Sequence, residues 1–511
     1  MKITEMIRMS KKIAFIGAGG IEFTRRLLTD ILSVKELRNL QVSFMDINER
    51  NLDMVTRLCQ RDIDSNGLSI RIQATTNRRE ALKDADYIVN AVRIGGLEMF
   101  ETDIDIPLKY GVDQCVGDTM CAGGIMYGQR TIAFMLDLCK DIREVAKKDC
   151  LMLNYSNPNA MVTWACNRYG GVNTVGLCHG VQHGERLIAE ALQIPHEELD
   201  FVCAGINHIT WYLSVKHRGQ ELGGETLLKK LEAHPKYSQE EKVRIDMFKR
   251  FGYFSTESNG HLSEYLPWYR KRLDKIKDWI DLSYWIHGET GGYLRFCTEN
   301  RNWFEVDFPN WMNEAPYSYD GSAVSVEHGA HIIESLETGK IYRGCFNVVN
   351  ENCITNLPAD AVVEVPCYVD ANGISVPQLG EIPVGPAAVC ESNILVQRLS
   401  VEAAVRGDYR LLVQAMMLDP LTGAVCDPDE IAQMTDEMLI AGKDYLPQYR
   451  EEIKKAEKRI AAAKKNGTYI KTREGFSGSN RLKVKTVEEQ KQDALNAKKH
   501  ALGAGAVENN Q

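Results

Sequence analysis

No stretch of the 511 residues is apolar for long enough to span a bilayer, and the opening MKITEMIRMSKK lacks the apolar core of a signal peptide. A cytoplasmic protein without a membrane partner is expected. CxxC pairs are also missing among the 14 cysteines, and Cys139, Cys166, Cys203 and Cys345 sit in apolar surroundings. They read as buried free thiols of a reducing compartment. An excess of basic residues is absent as well. The net charge of -9 excludes nucleic acid as the main partner and leaves a small molecule. No internal repeat is found. What is present, 44% hydrophobic and 26% charged residues over this length, describes a globular chain able to form two domains.

Charge places one boundary. Residues 451–511 carry 14 Lys+Arg against 8 Asp+Glu, a net +6, which leaves -15 on residues 1–450. This basic tail, 451–511, is expected to be separate, partly helical and partly disordered. EEIKKAEKRIAAAKK has Glu-to-Lys spacing that supports a helix, whereas NGTYIKTREGFSGSNRL and ALGAGAVENNQ read as poorly ordered.

From Met1 to Gly180, short apolar strands alternate with helical patterns, which predicts βαβ units and a parallel sheet. KIAFIG, VSFMD, ADYIVNAV, LMLNYSN and NTVGLCH are the expected strands, with TIAFMLDLCKDIREVAKK among the helices. The first strand enters Gly17-Ala18-Gly19-Gly20 and the second ends in Asp46. Glycines let a backbone approach a pyrophosphate at a helix N-terminus, and an acid at the second strand end can hold two ribose hydroxyls. Gly17, Gly19, Gly20 and Asp46 are therefore the cofactor candidates, and Asp46 favours NAD over a phosphorylated cofactor. The third position of the fingerprint is Glu22 instead of glycine, so it is the order of strand, turn, helix, strand and acid that carries the reading. The expected fold is α/β: a Rossmann-like, doubly wound NAD-binding domain at 1–180, then a mixed α+β domain at 181–450 for substrate, metal and oligomerisation, in the manner of lactate and malate dehydrogenases.

Strand ends in such a sheet face the ligand crevice. Asn154 and Asn157 of NYSNP, Cys178 and His179 of CHG, and Asn207 and His208 of AGINH occupy those places. Cys178 and His208, well separated in the chain, could give a divalent metal one sulfur and one nitrogen. A packed thiol and a satisfied imidazole would leave the same trace.

Taken together, GAGGIEF, Asp46, ADYIVNAVRIGG, GDTMCAGGI, NYSNP, GLCHGV, AGINH, FSTESNGHLSEYLPWY, NLPADAVVEVPCYVD and MMLDP resemble glycoside hydrolase family 4, the NAD- and Mn-dependent glycosidases, and most of all its melibiase-type α-galactosidase branch. The resemblance runs from Lys12 to Tyr449 in consistent order. It implies an O-glycosidase in which Cys178 and His208 hold a divalent metal, usually Mn2+, against O2 and O3 of the sugar. NAD+ takes hydride from C3, a base removes the acidified C2 proton, the leaving group departs from C1, and water and hydride are then returned. This family stands apart from glycosidases that work with paired carboxylates.

The same resemblance makes Tyr265, Asp118 and His179 the catalytic candidates and Asn154, Asn157 and Asn207 the substrate contacts, in a homodimer or homotetramer. A metal beside Tyr265 would lower its phenol toward the range of a base. Oxidation of Cys178 would inactivate such an enzyme. Relatives read GPGGIMR after the Asp-Thr where this chain has Met120 to Tyr127. His179 argues against a 6-phosphosugar, while Gly180 leaves α-galactoside, α-glucoside, α-glucuronide and α-galacturonide open. Two readings of other classes stand beside these: an NAD-dependent dehydrogenase of lactate/malate type, which would accumulate NADH, and an inactive sugar or NAD sensor.

Overall fold

The computed structural model describes residues 10–496, apart from 323, 324, 326, 477, 479 and 480. Its centre is a sheet of twelve strands: β1 (Lys12–Ile16), β2 (Gln41–Met45), β3 (Ile72–Thr75), β4 (Tyr87–Asn90), β5 (Leu151–Asn154), β6 (Thr174–Gly176), β7 (Leu199–Ile206), β8 (Ile209–His217), β9 (Gln220–Glu221), β10 (Tyr342–Val349), β11 (Val362–Asp370) and β12 (Gly373–Ser375). They lie in the order β3-β2-β1-β4-β5-β6-β10-β11-β7-β8-β9, with β12 on β11.

The first six of that order are parallel. Helices cover both faces of a parallel sheet, so its strands can be apolar throughout, and KIAFI, YIVN and LMLN are buried at every position. Strand order turns back between β1 and β4, which opens a crevice at their carboxyl ends. The strands expected from the sequence appear there within a few residues of their predicted ends. One more, β3, was not expected: IQAT is a half-exposed edge strand, without the apolar run that marks the others.

Beyond β6 the sheet changes character. Strand β10 runs antiparallel to β6, and β11, β7, β8 and β9 continue antiparallel. A single sheet thus crosses residue 180 without a break. One row of it runs Gly176, Asn347, Glu364, Gly205, which places a buried carboxylate behind the strand ends of β6 and β7.

The basic tail departs from expectation. Its helix, Arg450–Asn466, forms as the charge spacing predicts, but residues 467–496 do not stand apart. Tyr469 donates to Glu437 at 2.8 Å, Arg473 to Glu430 at 2.6 Å, Arg481 to Asp105 at 2.7 Å and Lys491 to Asp307 at 2.7 Å. The described part of this basic segment lies along carboxylates of a -15 body, so the composition that suggested detachment is what fastens it. ALGAGAVENNQ lies outside the described residues. Among the described residues no helix is long and apolar enough to cross a membrane.

Candidate active site

The glycine turn follows β1. Gly17 has φ +87°, and a Cβ there would fall 2.9 Å from the Ala91 carbonyl carbon, so only glycine lets β1 and β4 approach this closely. The helix Ile21–Ser33 then starts at Gly20 with no side-chain cap, and among the described residues nothing lies within 4 Å of a Cβ built on Gly20. Open space at an uncapped helix N-terminus suits an anion. Asp46, half-exposed at the end of β2, accepts from Gly19 N at 2.8 Å and from Asn48 N at 2.9 Å. Its carboxylate braces the turn and keeps lone pairs for ribose hydroxyls. The four residues singled out for a dinucleotide are together, and they fit one.

Cys178 lies two residues beyond β6, where the helix Gly180–Leu192 begins, and its Sγ accepts from Gly180 N at 3.4 Å. His208 comes from another connection. Strands β7 and β8 pair up to Ile206 and Ile209, so Asn207 and His208 form the turn, with His208 at φ +66°. A side chain larger than glycine in this left-handed region costs roughly 1–2 kcal/mol, and such positions cluster at functional sites. A third group, Glu257, arrives because its loop pairs with β8: Tyr212 N donates to the Phe254 carbonyl at 2.9 Å and Thr256 N to the Thr210 carbonyl at 2.8 Å. The Cys178 sulfur, one His208 nitrogen and one Glu257 oxygen lie within 4.8 Å of one another.

Protonation at this cluster follows from burial and charge. Burial holds His208 down to about 4, so it is neutral near pH 7 with a lone pair to offer. Its Nδ1 shares a hydrogen bond of 2.9 Å with the Tyr265 hydroxyl, which leaves Nε2 for a ligand role. Burial raises Cys178 well above its ordinary value, with Glu364 and Glu257 adding to it, so the thiolate needs a cation. Burial pushes Glu257 up, but the hydrogen bond to His261 and the imidazoles around it outweigh that and hold it ionised. One sulfur, one imidazole and one carboxylate are a donor set for a divalent metal.

A chain of contacts leads from Glu257 to the phenol. His261 Nδ1 is 3.6 Å from Glu257, and His261 Nε2 is 2.8 Å from the Tyr265 hydroxyl, which also reaches His208. Tyr265 is buried, and burial together with Glu264 pushes its phenol well above 10. The Thr119 side chain opposes this without bringing the phenol into the range of a base. Asp118 lies buried nearby and accepts from Arg93 Nη2 at 2.9 Å, Thr119 Oγ1 at 3.0 Å and Asn157 Nδ2 at 3.1 Å. Burial raises its carboxyl, but Arg93 together with the imidazoles of His261 and His208 outweighs burial and keeps it ionised. Arg93 rests on aromatic rings, 4.5 Å from Phe100 and 5.3 Å from Tyr127, the residue that ends the altered Met120–Tyr127 segment.

Two expected residues stand elsewhere. Asn154 does not face the crevice: it is fully buried, accepts from Asn90 Nδ2 at 2.9 Å and donates to the Ser156 carbonyl at 3.1 Å, so it ties strand ends together. His179 is exposed, with Nδ1 3.4 Å from Glu327; it is not one of the grouped ligand atoms, although its charge reaches Glu257. Asn157, through Asp118, does line the site. Asn207 is buried between Cys178 and Glu364, and its amide acts on both as a hydrogen-bonding group, so it sits beside the metal ligands. Glu257, His261 and Arg93 were not assigned roles from sequence. The only trace they left was membership of the motifs FSTESNGH and ADYIVNAVRIGG.

Comparison with known proteins bears on this geometry. Residues 12–194 match the model of the family 4 glycosyl hydrolases, and residues 203–422 match that of the family 4 glycosyl hydrolase C-terminal domain. An alpha-galactosidase of Rhizobium meliloti (strain 1021) is 54% identical over 494 residues, 97% of this chain and 100% of that protein. An alpha-galactosidase of Bacillus subtilis (strain 168) is 34% identical over 441 residues, 86% of this chain and 100% of its own. Among solved structures, a 6-phospho-alpha-glucosidase from gut microorganisms in complex with NAD and glucose-6-phosphate is similar, with a TM-score of 0.71 and 26% identity over 86% of this chain and 99% of its own.

Proposed function

This chain belongs to family 4 of the glycosyl hydrolases, and from that premise we propose that it is a cytoplasmic α-galactosidase that works with NAD and a divalent metal such as Mn2+. The observation that carries the proposal is the cluster of Cys178, His208 and Glu257, set at strand ends of the same sheet that presents the Gly17–Gly20 turn. The nearly full-length similarity to an alpha-galactosidase supports galactose as the sugar, and the NAD in the gut enzyme's structure supports the cofactor.

When bound, NAD+ supplies a hydride acceptor for C3 of the sugar, and the metal supplies positive charge for the oxyanion that forms at C2 and C3. The rest is done by the chain. Gly17, Gly19 and Gly20 admit the pyrophosphate to the helix N-terminus, and Asp46 holds the ribose. Cys178 and His208 fix the metal. Tyr265 passes its hydroxyl proton to His261 Nε2, 2.8 Å away, and the phenolate oxygen then takes the C2 proton. Asp118, ionised by Arg93, orients Asn157 toward the sugar.

A panel of p-nitrophenyl α- and β-glycosides and uronides, assayed with NAD+, Mn2+ and a thiol reductant, tests this reading. Cleavage of the α-galactoside above all others, with no net rise in NADH, is expected. NADH accumulating in step with substrate would replace the glycosidase by a dehydrogenase.

A further inference from the structure

Gly180 looks in sequence like a position that leaves room beside the metal, and in the fold that room is filled. A Cβ built on Gly180 would lie 2.0 Å from Glu257 Oε1 and 3.6 Å from Cys178 Sγ. Contact at 2.0 Å is impossible, so any side chain at 180 has to push the carboxylate away. The backbone that leads into Glu257 is also held. Thr210 N donates to Thr256 Oγ1 at 3.0 Å and Thr256 N to the Thr210 carbonyl at 2.8 Å, which ties the residue before Glu257 to the strand that follows His208.

We propose that Glu257 is the third protein ligand of the metal and that glycine is required at 180 to seat its carboxylate. The inference rests on the proposed metal dependence and adds a ligand to it. A thiolate and an imidazole alone are a soft pair for a cation such as Mn2+, which prefers oxygen. A carboxylate corrects that. Together with the thiolate it also balances the 2+ charge in a site walled by buried side chains, where an uncompensated cation is costly. Three protein donors leave positions open for two sugar hydroxyls, as a catalytic site needs. The competing role for Glu257 is to pair with His261, 3.6 Å away, and leave the metal to two ligands.

Mn2+ binding to the full chain with NAD+ present, followed by loss of the free-ion EPR signal, separates the two. Glu257→Gln is expected to weaken Mn2+ by at least about tenfold, the scale at which even groups behind a metal ligand act. Gly180→Ala should do the same by displacing the carboxylate. In a Glu257→Asp background, whose shorter side chain makes room, Gly180→Ala should cost less than it does in the wild type, a coupling that a folding defect would not produce. NAD+ affinity within about twofold of wild type reports that each variant is folded. Glu257→Gln binding Mn2+ as tightly as wild type while Cys178→Ala does not would overturn the third ligand and leave the metal reading standing. A wild-type chain that takes no Mn2+ would overturn the metal reading and this inference with it.

Discussion

The cofactor end and the metal end of the site lie on the same sheet but are assembled over different distances in the chain. At the parallel end, Gly17, Gly19, Gly20 and Asp46 come from one βαβ unit and brace each other directly, Asp46 accepting from Gly19 N at 2.8 Å. At the antiparallel end, Cys178, His208 and Glu257 come from three connections, held together by the β7–β8 turn and by the pairing of residues 254–256 with β8. Damage to the first unit should therefore stay local to nucleotide binding. Damage to the second should spread among the metal, the phenol and the carboxylate, since each positions the next.

Breaking the metal end should have the largest effect. Cys178→Ala and His208→Ala are each expected to lower kcat/KM by at least about a thousandfold, since the charge stabilisation a metal supplies is worth several kcal/mol. NAD+ affinity should stay within about twofold, measured by titration calorimetry. If either variant also lost NAD+, the two ends would not be independent.

The reverse test is Gly17→Ala. Its Cβ would meet the Ala91 backbone, so NAD+ affinity should fall at least about tenfold while Mn2+ binding, read by EPR, is retained. Next in size is Tyr265→Phe, which removes the phenol but little of its packing. A loss of about 10²–10⁴ in kcat, typical of a missing general base, is expected with Mn2+ and NAD+ affinities unchanged. A loss below tenfold would take the base role from Tyr265.

The smallest effect concerns Glu364, the buried carboxyl behind the metal end. Oε2 accepts from Thr210 Oγ1 at 3.0 Å, and burial pushes the group up to about 8 against the hydrogen bonds of Thr210, Asn207 and the His208 backbone. The folded chain then holds a proton that the unfolded chain releases above its own carboxylate pKa of about 4.3. Folded protein binds more protons across that window, so stability falls as pH rises from about 4.5 to 8. Glu364→Gln should remove this slope. With chelator present, its melting temperature should overtake the wild type by a margin that grows from pH 5 to pH 8, and a constant difference would refute the assignment.

This contrast between the ends also sets what the sequence reveals. Strands β1, β2, β4, β5 and β6 are readable because parallel strands buried on both faces must be apolar, and the turn after β1 is readable because only glycine fits it. Cys178 and His208 could be placed at strand ends but not paired, since the alignment of β6 with β7 runs through β10 and β11, which come much later in the chain, at Tyr342–Val349 and Val362–Asp370. Glu257 was hidden for the same reason. Its loop has no periodicity, and its neighbour Gly180 lies far upstream in the chain, before β7 and β8. The tail misled because charge predicts solvation, yet here it meets the opposite charge of the body. Asn154 misled because a strand-end amide can face the ligand or lock the sheet, and its partner Asn90 decides which.

The central claim is that the two ends act on one sugar, hydride leaving C3 toward the nucleotide and a proton leaving C2 toward Tyr265. Rates of α-galactoside cleavage with substrate deuterated at C2, compared with substrate deuterated at C3, test it most directly. Breaking both bonds predicts an isotope effect clearly above 1 at C2 as well as at C3, and deuterium at C2 of the galactose released in D2O. An isotope effect at C3 with none at C2, and a product that keeps all its C2 protium in D2O, would contradict the account.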